Sequence, residues 1–154
     1  DTSALMSGKP FVGDLFTTED VLRELEKQEA LTPQLETFLA VKVHVVSASS
    51  AALASVRTRS QGTGDAPRLS RTDIGLLAVA AEIGATIVTD DYSMQNLAQA
   101  MGLPYERVLE PGITQLVRWQ YKCTGCGKYY EDWRDPCPVC GAKLRTTRWV
   151  PPKK

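Results

Sequence analysis

Cys123-Thr124-Gly125-Cys126 and Cys137-Pro138-Val139-Cys140 are two C-x2-C pairs separated by ten residues. No other pattern in the chain restricts its folding choices so sharply. Four thiolates at this spacing suit one tetrahedral Zn²⁺, and Gly127 and Gly141 after each second cysteine let backbone amides turn toward the sulfurs. Disulfides fit poorly, because nothing in the sequence suggests secretion and both pairs are regular. A rubredoxin-type iron site is the competing ligand chemistry. A segment of about 40 residues buries too little surface to fold unaided, so the metal supplies its stability. With Cys123, Cys126, Cys137 and Cys140 all ligating, no coordination position remains for catalysis, and the zinc is structural.

The cysteines sit in a stretch whose chemistry differs from the rest. Residues 1–110 carry 9 basic and 15 acidic side chains, whereas residues 111–154 carry 9 basic and 3 acidic ones. All three tryptophans lie in the second part. The expected division is therefore an acidic domain over 1–110, a linker over 111–116 opening on Pro111-Gly112, and a small basic four-cysteine zinc ribbon over 117–154. A hydrophobic fraction of 43% and a charged fraction of 23% argue against general disorder. No apolar run approaches the roughly 20 residues of a membrane span, and no signal-peptide pattern opens the sequence, so a soluble, cytoplasmic protein without membrane partners is expected.

The acidic part alternates helical and strand-like signals. A helix is expected to start at Thr17-Thr18 ahead of Val21, Leu22 and Leu25, and a shorter one over Leu35–Leu39. Val41–Val46 reads as a strand, Ala48–Arg59 as a helix and 61–68 as a loop. Ser70–Ile83 is the strongest helix, with Ile74, Leu77, Ala78 and Ala81 on one stripe and Gly84 as its stop. A strand over 85–89, a helix over 92–101 and a strand near 105–109 follow. This alternation predicts an α/β domain with a parallel sheet flanked by helices. Because the sequence opens on the polar turn Asp1-Thr2-Ser3, a leading strand is expected upstream of it.

Residues just beyond the carboxyl ends of parallel strands converge on one crevice. Asp1, Glu24, Asp73 and Asp91 are candidates for it. Each also has an ordinary explanation: Ser70-x-x-Asp73 fits a capping box, Glu24 fits a solvated helix face, and Asp90 or Asp91 fits a helix cap. The only histidine, His44, lies among Val43, Val45 and Val46 and reads as a structural or surface residue rather than a base.

Taken together, Asp1-Thr2-Ser3-Ala4-Leu5, Val21-Leu22-Arg23-Glu24-Leu25, Leu69 to Ala78 and Val88-Thr89-Asp90-Asp91 resemble the PIN-domain nucleases. The Thr-x-Asp pattern matches Thr89 and Asp91. The resemblance thus implies Asp1, Glu24, Asp73 and Asp91 as catalytic carboxylates holding Mg²⁺ or Mn²⁺. It leaves Ser3, Thr89 and Asp90 as supporting residues, with Asp90 either behind the ligands or capping the helix. Hard cations on oxygen ligands offset phosphate charge and make a water nucleophilic, as phosphodiester hydrolysis requires.

In the basic part, Lys122, Lys128, Arg134, Lys143, Arg145 and Arg148 accompany aromatic residues, a combination suited to following a phosphate backbone and stacking on unpaired bases. The plainer alternative is that the aromatics form the ribbon's own core, as expected of Trp119 and Tyr121; a protein-contact surface is another. With Tyr92-Ser93-Met94-Gln95-Asn96 and Pro111 to Cys123, the whole chain resembles the Nob family of ribosome-assembly endonucleases. That resemblance implies a cut in single-stranded precursor RNA that forms the 3′ end of small-subunit ribosomal RNA, on a pre-ribosomal particle beside a KH-domain partner. The rival readings are a free-standing toxin-like PIN ribonuclease and a non-cleaving RNA-binding assembly factor.

Overall fold

The computed structural model describes residues 1–109 and 117–149. The expected linker at 111–116 lies outside them, as do the expected ends of its two flanking modules.

The acidic part holds six helices and four short strands among the described residues. Helix α1 (Thr2–Met6) is started by Asp1, whose carboxylate accepts the Ala4 amide at 2.7 Å. Strand β1 (Leu15–Thr17) leads into α2 (Glu19–Lys27). Thr18 occupies the N-cap position of α2 as expected, but its side chain makes no capping bond. Helix α3 (Pro33–Lys42) begins on a Thr32 cap and runs into the β-branched stretch, so only Val43–Val45 remain as β2. Helix α4 (Ser50–Thr63) extends into the expected loop and stops at Gly64, followed by a 3-10 turn over Ala66–Arg68.

Helix α5 (Arg71–Ile83) carries the expected capping box, with Ser70 and Asp73 bonding each other's backbone amides. Its buried surface is wider than one stripe. Leu76, Val79 and Ala80 are buried along with Ile74, Leu77 and Ala78, whereas Ala81 is exposed. The reason is position: α5 lies between α4 and the α2 side of the domain and meets neighbours on most of its circumference. Strand β3 (Ile87–Val88), helix α6 (Tyr92–Met101) and strand β4 (Tyr105–Glu106) complete the module. Val21, Leu25, Val56, Leu77, Leu97 and Ala98 form the fully buried centre. Truncating a side chain such as Leu77 to alanine there costs about 2–5 kcal/mol.

Strand pairing is parallel, as expected, but comes as two pairs. β1 pairs with β2 in the register Leu15 to Val43, and β3 pairs with β4 in the register Ile87 to Tyr105. Between the pairs runs a groove of about 610 Å³ lined by Leu15, Thr17, Ile87 and Val88. The backbone nitrogen of Asp1 donates to Val88 O at 3.2 Å, which sets Asp1 beside the carboxyl end of β3.

The basic part is a three-stranded antiparallel sheet in the order β6-β5-β7, comprising Trp119–Cys123 (β5), Tyr129–Tyr130 (β6) and Leu144–Arg148 (β7). Tyr121, Cys123, Cys137 and Leu144 are its buried centre. Tyr121 belongs to that core as expected. Trp119 does not: its indole turns toward the acidic module, where Nε1 donates to Asp65 at 2.8 Å.

Candidate active site and zinc centre

Three helix beginnings and the middle of a fourth helix bring the acidic residues together. Asp1 precedes α1, Glu24 lies in the middle of α2, Asp73 sits in the first turn of α5, and Asp91 is the N-cap of α6. Helix N-termini favour negative charge, so three of the four carboxylates occupy places where a backbone dipole steadies them. Asp1 Oδ1 accepts the Ala4 amide and the Ser3 hydroxyl at 2.9 Å, and its Oδ2 accepts the Thr89 hydroxyl. Ser3 and Thr89 therefore both donate to the Asp1 carboxylate. Thr89 is itself fully buried, its oxygen accepting the Asp91 amide at 3.0 Å, while Gln95 Nε2 donates to Thr89 O at 3.0 Å.

Asp73 registers its neighbours. Burial pushes its carboxyl above the ordinary aspartate range; bonds to Ser70 pull it down, and the charges of Asp91 and Glu24 push it up again. The amino group of Asp1 lies within electrostatic reach of Asp73 and Glu24, which places the residue beside them. The four acids thus share one neighbourhood rather than scattered surface positions.

They do not close to the spacing of ligands around a single ion. Among the described residues only the four cysteines bring ligand atoms within 4.8 Å of one another, and no three of these carboxylates come so close. The physical cause is visible in their bonds. Oδ1 of Asp1 and Asp91 and Oδ2 of Asp73 are each turned into their own helix caps, and like charges repel. The all-oxygen donor set is of the kind that Mg²⁺ and Mn²⁺ bind.

Two residues of the site carried no sequence signal of their role. Thr2 donates its hydroxyl to Glu24 Oε2 at 2.8 Å, holding the acid that has no cap of its own. Gln95 ties α6 to β3. Asp90 neither caps α6 nor turns to the acids. Its carboxylate accepts the Val108 amide at 2.8 Å and the Leu109 amide at 3.0 Å. His44 is exposed on β2, its ring 5.3 Å from Phe16, consistent with a surface residue.

At the other site the sulfurs stand ready for a tetrahedral ion. Cys123 Sγ lies 3.3 Å from Cys140 Sγ, and Cys126 Sγ 3.8 Å from Cys137 Sγ. A tetrahedron with Zn–S bonds of about 2.3 Å has S···S edges of roughly 3.8 Å, so the donor set fits zinc. The Tyr130 hydroxyl, 3.1 Å from Cys137 Sγ, draws that thiol's pKa down to about 6 and so favours the thiolate a metal needs. Gly125 leaves no room for a side chain, since a Cβ there would fall 2.8 Å from Ala142 Cβ and 3.1 Å from Cys140 Sγ.

The six basic candidates do not share one face. Across the sheet, Lys122 pairs with both Tyr129 and Arg145, which puts these three on one row. Lys122 Nζ stands 5.1 Å from the Tyr129 ring, and that ring is exposed. Arg148 pairs with Trp119, on the opposite face. Arg134 stacks on Tyr130 at 5.0 Å and reaches Asp132 at 3.7 Å, while exposed Lys128 and Lys143 flank the strands. Alternation along β5 separates the groups: Lys122 faces away from the side that carries Trp119, Tyr121 and Cys123.

Residues 1–83 match the family described as PIN domain of ribonuclease. Endoribonuclease Nob1 of Pyrococcus abyssi is 34% identical over 147 residues, covering 94% of this chain and 89% of that protein. The chain belongs to the Nob family of PIN-domain endoribonucleases. Endoribonuclease Nob1 of Archaeoglobus fulgidus is 32% identical over 93% of this chain and 86% of its own length. Ribonuclease VapC1 of Thermoplasma acidophilum is 35% identical over 94% of this chain and 75% of its own. As a Nob-family protein the chain is an endoribonuclease acting on RNA, and PIN nucleases work with divalent metal. The VapC1 alignment covers nearly all of this chain, so a ribonuclease name alone does not separate the two PIN types.

Proposed function

We propose that this endoribonuclease cuts single-stranded precursor RNA to form the 3′ end of small-subunit ribosomal RNA. It would do so in the cytoplasm, on a pre-ribosomal particle and beside a KH-domain assembly factor. The observation that carries the reading is the placement of Asp91 and Glu24, from two other helices, close enough to act on the Asp73 carboxyl, with Asp1 bonded to Thr89 just before Asp91. Capping accounts for Asp1, Asp73 and Asp91 singly but not for their gathering with Glu24, since each like-charged neighbour raises the cost of ionising the next.

Asp1, Glu24, Asp73 and Asp91 are the catalytic residues and would hold Mg²⁺ or Mn²⁺. When bound, the ion offsets phosphate charge and lowers the pKa of a water toward neutrality. The chain's own contribution is orientation. Thr89 and Ser3 fix the Asp1 carboxylate, Thr2 fixes Glu24, and the α6 amides fix Asp91. The zinc ribbon, with the row of Tyr129, Lys122 and Arg145 on one face, is the RNA-docking element. Cations along the backbone and an exposed ring for base stacking favour unpaired RNA over a duplex.

The test is manganese-dependent cleavage of a transcript carrying the 3′ region of precursor small-subunit RNA. One cut at the mature end is expected. Indiscriminate cutting of unrelated single strands would favour the toxin-like reading. Tight binding without any cut would favour a non-cleaving assembly factor.

A further inference from the structure

The nuclease module and the ribbon meet at a buried carboxylate that the acidic cleft does not use. Asp65, fully buried after α4, accepts three hydrogen bonds. Thr63 Oγ1 donates at 2.6 Å and Asn96 Nδ2 at 2.7 Å to Oδ2, and Trp119 Nε1 donates at 2.8 Å to Oδ1. Asn96, 1% exposed, also embraces Val117: its Oδ1 accepts the Val117 amide at 2.6 Å, and its Nδ2 donates to Val117 O at 2.8 Å. The first described residues after the linker are thereby fastened to α6.

The surroundings are shaped for this contact. The Arg68 guanidinium lies 3.6 Å over the Trp119 ring, and Tyr121 donates its hydroxyl to Gly64 O at 3.2 Å. A Cβ at Gly64 would stand 2.7 Å from Trp119 Cβ and 2.9 Å from Trp119 O, and its φ of +80° is itself costly for any other residue. Burial raises the proton affinity of Asp65, opposed by its three donors and Arg68. All three partners present hydrogens, so the ionised carboxylate is the form they fit. Buried polar networks of this kind, fully satisfied, select one arrangement over its competitors.

We propose that Asp65 is a positioning residue: by clasping Asn96 and Trp119 it locks the RNA-docking ribbon to the helix that carries Asp91, so that ribbon-bound RNA is presented to the cleft in one register. Asn96 follows Asp91 by five residues on α6, roughly 7.5 Å along the helix axis. Displacement of a substrate by about 1 Å can cost on the order of 100-fold in rate. A ribbon swinging on a free linker would move it by far more.

The functional half of this inference rests on the RNA-cleaving reading above; the mechanical half does not, and the two are measured separately. In the full zinc-loaded chain, ¹⁵N relaxation is expected to give one tumbling time for residues 1–109 and 117–149. In Asp65→Ala it is expected to split into two, with the chemical-shift dispersion of both modules kept. Cleavage of a single strand of about 20 nucleotides, able to span ribbon and cleft, should fall on the order of 100-fold. Cleavage of a five-nucleotide strand that occupies only the cleft should stay within about twofold. Trp119→Phe, which keeps an aromatic ring but removes the indole donor, should move both readouts the same way to a smaller extent, and it serves where Asp65→Ala disturbs the end of α4. A single tumbling time in both variants would overturn the proposal, as would equal loss on the long and short strands. If the wild type cuts neither strand, the functional reading fails while the relaxation result still decides the clasp.

Discussion

Asp90 and Asp91 adjoin in sequence and serve opposite partners. Asp91 Oδ1 accepts the Ser93 and Met94 amides at 2.6 and 3.0 Å, opening α6, while Asp90 reaches across to the Val108 and Leu109 amides beyond β4. The pair thus puts one carboxylate at the start of α6, within electrostatic reach of Asp73, and the other on the chain after the last strand. Asparagine caps a helix about as well as aspartate, so Asp91→Asn removes charge while leaving α6 intact. Cleavage should be abolished, with thermal stability nearly unchanged and RNA affinity retained. Asp90→Asn should keep most of the activity and cost about 1 kcal/mol of stability, because an amide retains only one acceptor oxygen. Cleavage rates and melts of the two variants check this; equal loss of activity in both would reverse the assignment.

Thr2 and Glu24 supply a second test. The hydroxyl at 2.8 Å is the only hydrogen bond to the Glu24 carboxylate among those described. Thr2→Val keeps the branched shape and removes the donor. The expected result is weaker Mn²⁺ binding and a fall in kcat of about tenfold, with the fold unperturbed. Thr2→Ser should restore most of both. Manganese titration alongside kinetics distinguishes this from a general loss of structure.

The pH dependence follows from Asp73, held above the ordinary aspartate value first by burial and then by the charges of Asp91 and Glu24. In the window between that ordinary value, about 4, and the raised one, the folded chain binds more protons than the unfolded chain. Stability without added divalent ion should therefore fall as pH rises through this window. Mn²⁺ takes the place of the proton, so its affinity should climb over the same range and its addition should flatten the slope. Melting temperatures from pH 4 to 7, with and without Mn²⁺, report the sign. Asp73→Asn should remove the share of the dependence that Mn²⁺ flattens, leaving that of Asp65, which burial raises in the same direction.

Zinc removal separates the modules thermodynamically. Four-thiolate zinc sites in small domains contribute on the order of 10–16 kcal/mol, which the ribbon's core of Tyr121, Cys123, Cys137 and Leu144 cannot replace. Chelation should unfold the ribbon and expose Trp119 while the helical circular dichroism of the nuclease module persists. RNA affinity and its salt dependence should drop together. In the zinc-loaded chain, Lys122→Gln with Arg145→Gln should lower the slope of log affinity against log salt by about 1.4, the share of two phosphate contacts on a single strand. Arg148→Gln, on the other face, should change it little.

Sequence patterns carried the four-cysteine cluster in full, because ligand spacing and ligand chemistry are both written in neighbouring residues. The capping box of Ser70 and Asp73 was equally local. What escaped were elements defined by distant partners. Helix α1 is five residues long and exists on its Asp1 cap, while β1 is three residues paired to β2. The Val41–Val46 run favours a strand by propensity, yet α3 continues through Val41 and Lys42 before β1 takes up pairing at Val43. Gly62 did not end α4; a glycine inside a helix costs about 1 kcal/mol, and packing of Val56 and Ser60 offsets it. The four acids were legible as a set, but their separation was not, since each orientation is decided by a cap. Asp65 was invisible for a similar reason: it lies in a segment that reads as a loop, and two of its three partners are 31 and 54 residues away.

Gly64 ties the two modules in another sense. It is a nuclease residue whose lack of a side chain is required by a ribbon tryptophan. A hybrid joining this nuclease module to an unrelated four-cysteine ribbon would still bind zinc, yet it would present an empty dimple and an ion without its indole donor. Interchanging such modules by recombination therefore demands a matched pair of surfaces as well as a suitable linker.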